Sequence, residues 1–225
     1  FGFSNSYHTG VDRGFNRGFD YYHDILKLPR FRGNMYEFSE DFIRYTWNYF
    51  INDYDITDFQ LKKLRSKISG ANSPFFGFIN LNSAHSPYDP PEPYRSKLEA
   101  TFNKWNRVDE EVAGKLSDDG GYPYMMEALD ATESEWELIK RWYDGEIGYL
   151  DDQLDAFFSF LKQSGLYDNT LILVTSDHGE HFGEHGLAYH QFSLYEELLH
   201  VPLLLKLPGN HLGKLSSELV SLIDI

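Results

Sequence analysis

The apolar positions fall into short unbroken runs and into stripes at helical spacing. Phe1 to Ser4 alternates apolar and small residues, as at the end of a strand. Residues 8–35, rich in Gly, Arg, Tyr and His, read as loop. Phe38, Phe42, Tyr45 and Tyr49 recur at steps of four and three, a helical stripe over 38–50. A second helix is expected over 56–68, with Gly70 just past its end. The run 74–81 (PFFGFINL), bounded by Pro and by Asn-Ser, predicts a buried strand. Four prolines within 86–94 (SPYDPPEPY) impose an extended or turning path. Residues 101–130 are polar, hold Gly120 and Gly121, and read as an insertion or lid.

The clearest periodicity comes next. Thr132-Glu133-Ser134-Glu135 has the form of a capping box. Trp136, Ile139, Tyr143, Ile147, Leu150, Leu154, Phe157 and Leu161 then recur every three or four residues. That stripe predicts one amphipathic helix about 45 Å long at 1.5 Å per residue. Gly165 stands where a C-terminal cap belongs. Gly145 and Gly148 weaken a helix interior and signal a close approach by another segment. The run 169–175 (NTLILVT) predicts a second buried strand, 193–200 one or two helical turns, and 201–207 (VPLLLKL) a third strand. The order helix, strand, loop, strand predicts an α/β sandwich around a largely parallel sheet.

Composition narrows the function classes. At 225 residues, 41% hydrophobic and 24% charged, this is a globular chain with enough mass for a sizeable core. Twenty basic against 35 acidic residues give a net charge of −15. No Lys/Arg run interleaved with aromatics occurs, so binding to a nucleic-acid backbone is disfavoured, and the same field opposes anionic membranes. A local cation can still reverse the potential in one pocket and admit a small anionic substrate. The absence of cysteine excludes disulfides, zinc–thiolate sites and cysteine nucleophiles within these residues. It fits a reducing compartment without establishing one. No apolar run approaches the ~20 residues that span a bilayer, and no secretory signal is visible. The chain starts Phe-Gly-Phe without Met and stops inside the apolar stretch 219–225, so it reads as an internal piece of a longer protein.

Candidate chemistry gathers behind the strand at 171–175. The chain runs straight on through Ser176, Asp177, His178 and Gly179 to Glu180, His181, Gly183, Glu184, His185 and Gly186. In open α/β sheets ligands bind beyond the carboxyl ends of strands. A carboxylate beside an imidazole offers one oxygen and one nitrogen to a divalent metal. The competing reading is that Asp177 caps a helix and the histidines are solvated loop. A second pattern overlaps: His181 to His185 matches H-x-x-E-H, a zinc-protease signature that needs both histidines on one helical face. Gly179, Gly183 and Gly186 oppose that helix. His85 follows another predicted strand and precedes a stiff proline-rich loop, which favours a site role over a structural one. For His190, spacing leaves open a surface position or a cation or proton donor facing the same pocket.

Taken in order, four segments resemble the sulfatase family of the alkaline-phosphatase superfamily. They are Arg17-Gly18-Phe19-Asp20-Tyr21; Pro74-Phe75-Phe76 with His85-Ser86-Pro87-Tyr88; Tyr143-Asp144 and Asp151 followed by 165–170 (GLYDNT); and 175–186 followed by 193–197 (SLYEE) and Val201-Pro202-Leu203. The closing 221–225 (SLIDI) also resembles a family segment. The resemblance implies an alkaline-phosphatase-like fold, a three-layer α/β/α sandwich with a mostly parallel sheet, and hydrolysis of sulfate esters at one divalent cation. The cation would usually be calcium and the nucleophile a formylglycine hydrate. It implies Asp177 and His178 as metal ligands and His85 as the group that bonds the ester and protonates the leaving group. His190 falls where the family often has a Lys that contacts sulfate. The substrate would be a small-molecule or glycan sulfate ester.

The departures also carry information. No C/S-x-P-x-R nucleophile motif and no early Asp-Asp pair occur. Residues 1–225 are therefore expected to be a catalytic-domain piece without the nucleophile-bearing part, and inactive alone. The family's Gly-Lys-x-His signature should fall near 3–8, where 4–8 read SNSYH, so His8 receives no role. Many calcium sulfatases have Asn at the position of His178. An imidazole leans toward manganese or zinc, which keeps open a phosphodiester or phosphonate monoester hydrolase; a non-catalytic sulfatase-like binding protein is the other alternative, which absence of the nucleophile from the full protein would favour.

Overall fold

The computed structural model describes residues 1–4, 13–24, 56–71, 74–100, 102, 110–118, 122–125, 130–210 and 212–225. The helix expected over 38–50, His8 and much of the expected loop 8–35 lie outside the described residues. The chain forms two compact units, one of residues 1–101 with 142–157, the other of residues 102–141 with 158–225.

The first unit is built on a parallel sheet of three strands, β1 (Gly2–Ser4), β2 (Tyr22–Asp24) and β3 (Phe78–Ile79), in the order β2-β1-β3. Phe3 in the central strand is fully buried. Helix α1 (Ile56–Ser69), where a helix is expected over 56–68, carries a buried stripe of Leu61, Leu64 and Ile68. Two buried polar groups on α1 reach the loop after β3. Gln60 Nε2 donates to the Asn80 carbonyl at 3.1 Å, and the Thr57 and Ser83 hydroxyls are 2.5 Å apart. Buried polar groups need such partners, so the start of the loop carrying His85 is tied to α1. The proline-rich segment runs on into the short helix α2 (Tyr94–Glu99).

The predicted long helix is α5 (Glu133–Gln163); before it come α3 (Glu110–Asp118) and α4 (Tyr122–Met125), within the segment expected to be an insertion. The capping box forms: the Thr132 N–H donates to the Glu135 carboxylate at 2.6 Å, and the Thr132 hydroxyl also donates to it. The helix ends in a Schellman motif. Gly165 takes φ +68°, Leu166 N–H reaches the Leu161 carbonyl at 2.9 Å, and Gly165 N–H reaches that of Lys162 at 3.1 Å. Gly145 is the close approach its position signals. A Cβ there would lie 2.7 Å from Pro90 Cβ and 3.2 Å from Leu98 Cδ1. Tyr88 packs edge-on against Tyr143 at 5.6 Å, and the Asp89 N–H donates to buried Glu146 at 3.2 Å. The proline-rich loop is thus held on the middle of α5.

The second unit contains β4 (Ile172–Thr175) and β7 (Leu203–Lys206), β5 (His181–Phe182) and β6 (Ala188–Tyr189), and helix α6 (Glu196–Leu199). Its core includes Trp136, Leu138, Ile139, Leu161, Ala188 and Leu198. Two expectations need correcting here. The β4–β7 pair is antiparallel, and so is β5–β6; the parallel arrangement is found in β2-β1-β3. A parallel partner for β4 needs a crossover to the opposite end of the sheet. The segment from 176 to 202 instead makes a small ribbon and one helical turn and re-enters beside the point where it left. The run 169–175 is also less buried than its composition predicts: Ile172 to Val174 are half-buried and Leu171 is 54% exposed. A two-stranded ribbon cannot cover both faces of its strands.

Candidate functional site

The site residues of the second unit lie on the stretch that leaves β4. Thr175 ends the strand with its hydroxyl donating to the Pro202 carbonyl at 2.8 Å, which pins it to the entry of β7. Ser176 Oγ then donates to the His178 carbonyl at 2.6 Å, and the His178 N–H donates to Asp177 Oδ1 at 3.1 Å. These local bonds hold Asp177 and His178 in a tight turn. Asp177 is strongly exposed.

The His178 ring is oriented through Nδ1, which sits 2.8 Å from the Gly179 carbonyl. A carbonyl only accepts, so Nδ1 carries the proton and Nε2 is the basic nitrogen. That Nε2 lies 3.8 Å from Asp177 Oδ1. A histidine tied back through one nitrogen to a backbone carbonyl, with a carboxylate beside the other, is the usual preparation of a metal ligand pair. The donor set therefore fits two ligands of one divalent cation. Among the described residues no group of three or more His, Asp or Glu side chains is placed to hold a metal ion.

His190 joins this pair. Its ring stacks on that of His178 with centroids 4.1 Å apart and planes 25° apart, and on Tyr189 at 4.2 Å. Its Nδ1 lies 3.0 Å from Glu180 Oε1. Asp177, His178 and His190 thus lie together on this stretch. Sequence reading left Glu180 and Tyr189 without a role. The available signal was the density of four histidines and three acids between 177 and 190, which marked the segment but not the pairings.

Gly179 fixes the back of the loop. Its N–H donates to the Leu198 carbonyl at 2.9 Å, and a Cβ on it would lie 1.9 Å from the Glu197 carbonyl oxygen. Only a residue without a side chain lets α6 sit this close behind Asp177 and His178.

The H-x-x-E-H segment does not form the helix its zinc-protease reading requires. His181 is in β5, Gly183 is left-handed at φ +95°, and 184–186 form a single 3₁₀ turn in which His185 has φ +58°. His181 is buried with Nε2 2.7 Å from Ser193 Oγ, while His185 stacks on Tyr195 at 3.8 Å and contacts Glu197 at 3.3 Å. Glu184, the would-be general base, is a structural anion. Burial alone would raise its pKa. The bond from Lys140 Nζ at 2.8 Å and that from the Phe182 N–H at 2.6 Å outweigh burial, and its carboxyl is held below the ordinary range.

His85 is built into the first unit, in the loop after β3. Its Nδ1 lies 2.7 Å from the Ser86 carbonyl, so the proton is on Nδ1 and the basic edge is Nε2, as in His178. Its N–H closes a turn on the Asn82 carbonyl at 2.9 Å. No helix among the described residues is long and apolar enough to cross a membrane.

Comparison with known proteins gives a consistent result. The family described as Sulfatase matches residues 3–225. Arylsulfatase K of Bos taurus is 32% identical over 187 residues, which is 77% of this chain and 34% of that protein. Iduronate 2-sulfatase of Homo sapiens is 29% identical over 164 residues, 67% of this chain and 30% of that protein. Among solved structures, a phosphonate monoester hydrolase of Agrobacterium radiobacter is similar in fold, with a TM-score of 0.53 and 24% identity over 68% of this chain and 33% of its own. The chain spans about a third of the length of the curated relatives it matches. The ordered motifs and the family match across nearly all of its residues place this chain in the sulfatase family.

Proposed function

We propose that the protein containing this chain hydrolyses sulfate esters, of small molecules or glycans, at one divalent cation. Asp177 and His178 would supply two of its ligands. The observation that carries the reading is the prepared pair: His178 held through Nδ1 on the Gly179 carbonyl, with Nε2 3.8 Å from Asp177 Oδ1, at the exit of a strand. We also propose that the complete domain is the three-layer α/β/α sandwich of the alkaline-phosphatase superfamily, with this chain as one part of it.

The chemistry assigns separate tasks to the side chains. When bound, the cation would polarise the ester and neutralise charge that builds up on the sulfuryl oxygens. His190, when protonated, would donate a hydrogen bond from Nε2 to those oxygens. Transfer of a sulfuryl group, like that of a phosphoryl group, depends mainly on positioning and electrostatics. His85, with its proton on Nδ1 at rest, would take a second proton at Nε2 and deliver it to the departing oxygen. The nucleophile motif is not among these residues.

The His178 imidazole favours a second reading, a phosphonate monoester or phosphodiester hydrolase, because it suits manganese or zinc better than calcium. One experiment separates the readings. The full-length protein is freed of metal, reloaded with calcium, manganese or zinc, and assayed on a nitrophenyl sulfate and on a phenylphosphonate monoester. Sulfate turnover that Asp177→Asn and His178→Ala abolish supports the first reading. Turnover of the phosphonate alone replaces it with the second, and turnover of neither favours a non-catalytic role.

A further inference from the structure

We propose that Glu180 is a positioning residue for His190, fixing the proton of that imidazole on Nδ1 and holding the ring against His178. The inference starts from burial. The Glu180 side chain is only 6% exposed and that of His190 17%. A carboxylate leaves water at a cost, and it stays in such a place where a hydrogen-bond donor meets it. His190 Nδ1 meets Glu180 Oε1 at 3.0 Å.

The chemistry of the two groups sets the direction of that bond. A carboxylate can only accept, so the proton between them belongs to Nδ1. The neutral ring is then the Nδ1–H tautomer, and Nε2 is its acceptor edge. In the protonated ring Nε2–H becomes a donor, while Nδ1–H still faces the carboxylate. Glu180 thereby decides which edge of His190 does chemistry.

The same bond sets where the ring stands. His190 lies nearly parallel to His178 at 4.1 Å and to Tyr189 at 4.2 Å, each with planes 25° apart. The turn that carries it is bent by Tyr189 at φ +71° and Phe192 at φ +67°. Stacking fixes the plane of an imidazole but not its rotation within that plane. The Nδ1 contact constrains that rotation. His178 is anchored in the same manner, through Nδ1 on the Gly179 carbonyl. The two stacked rings are therefore each tied back to the protein by Nδ1. That His190 then contacts a sulfuryl group rests on the proposed sulfatase chemistry; the tautomer does not.

The test reads the tautomer directly. The full-length protein is labelled with ¹⁵N-histidine and studied by two-bond ¹H–¹⁵N correlation at about pH 8.5, well above the ordinary imidazole pKa of ~6.5. The His190 signals are assigned by their loss in His190→Gln. Wild-type His190 is expected as the Nδ1–H tautomer. In Glu180→Gln the amide can donate as well as accept, and the population is expected to move toward Nε2–H, with at least an about tenfold loss of kcat/KM on an aryl sulfate. An Nε2–H ring in the wild type overturns the proposal, and so does an unchanged tautomer in Glu180→Gln. If that variant does not fold, the wild-type spectrum alone decides. A protein with the expected tautomers but no sulfate turnover refutes the functional reading and leaves the positioning role standing.

Discussion

Adding one methyl group at Gly179 should uncouple the Asp177–His178 loop from the helical turn behind it. In Gly179→Ala the new Cβ would lie 1.9 Å from the Glu197 carbonyl oxygen, 3.0 Å from its carbon and 3.4 Å from Leu198 Cα. All three are backbone atoms, so no side chain can swing aside, and either α6 or the loop must move. Overpacking of this kind costs about 1–3 kcal/mol. The movement also breaks the 2.9 Å bond from Gly179 N–H to the Leu198 carbonyl, and a polar group left without a partner costs about 1–3 kcal/mol more. The two overlap, so the expected loss is about 2–4 kcal/mol. Gly179 does not have a positive φ, so the effect is steric and not conformational. The assay is urea denaturation of the full-length protein, with divalent-metal affinity measured on the same samples and an expected weakening of at least about tenfold. Gly114→Ala is the control. It lies inside α3 with open space around its Cβ, and it should stabilise by about 0.5–1 kcal/mol. If Gly179→Ala matched the wild type in both stability and metal affinity, the close approach of α6 would not support the site.

Three further outcomes are expected. Lys206→Met removes an ammonium that donates to the carbonyls of Tyr167, Asp168 and Thr170 and so anchors the turn after α5 on β7; urea denaturation should show a loss of about 1.5–3 kcal/mol. The Tyr94 hydroxyl is pushed up to about 12, first by its hydrogen bond to Asp152 and then by burial. The small stabilisation from this bond is complete below the ordinary tyrosine pKa of ~10 and is lost as pH rises through the folded value. In Asp152→Asn a spectrophotometric tyrosinate titration should show that group returning toward ~10, and an unchanged titration would remove the pairing. If the full-length protein has the proposed sulfatase activity, His85→Ala should slow an alkyl sulfate by about 10²–10⁴-fold and a nitrophenyl sulfate far less, because the better leaving group departs with little protonation. Equal losses in kcat/KM on the two esters would leave His85 as a binding or structural residue.

Much of the framework was legible because its determinants are local. The stripe from Trp136 to Leu161, the Thr132–Glu135 box and Gly165 each act over one or two helical turns, and α5 begins and ends where they place it. The strand ahead of Asp177 and His178 was legible for the same reason. Local signals ended at the pairings. The antiparallel return of β7 onto β4, the bond from His190 Nδ1 to Glu180 across ten residues, and the seat of α6 on Gly179 each depend on where distant segments come to rest. H-x-x-E-H shows the same boundary from the other side. His181 and His185 have helical spacing, yet the left-handed Gly183 and the buried bond from His181 to Ser193 give them a ribbon and a tight turn instead. Sequence determined which residues could do chemistry, since side-chain type and the turn that follows a strand are written in adjacent positions. Tertiary structure decided which of them face one another, because a hydrogen bond or a ring stack is set by distance in space, and that distance is fixed only when the core has packed.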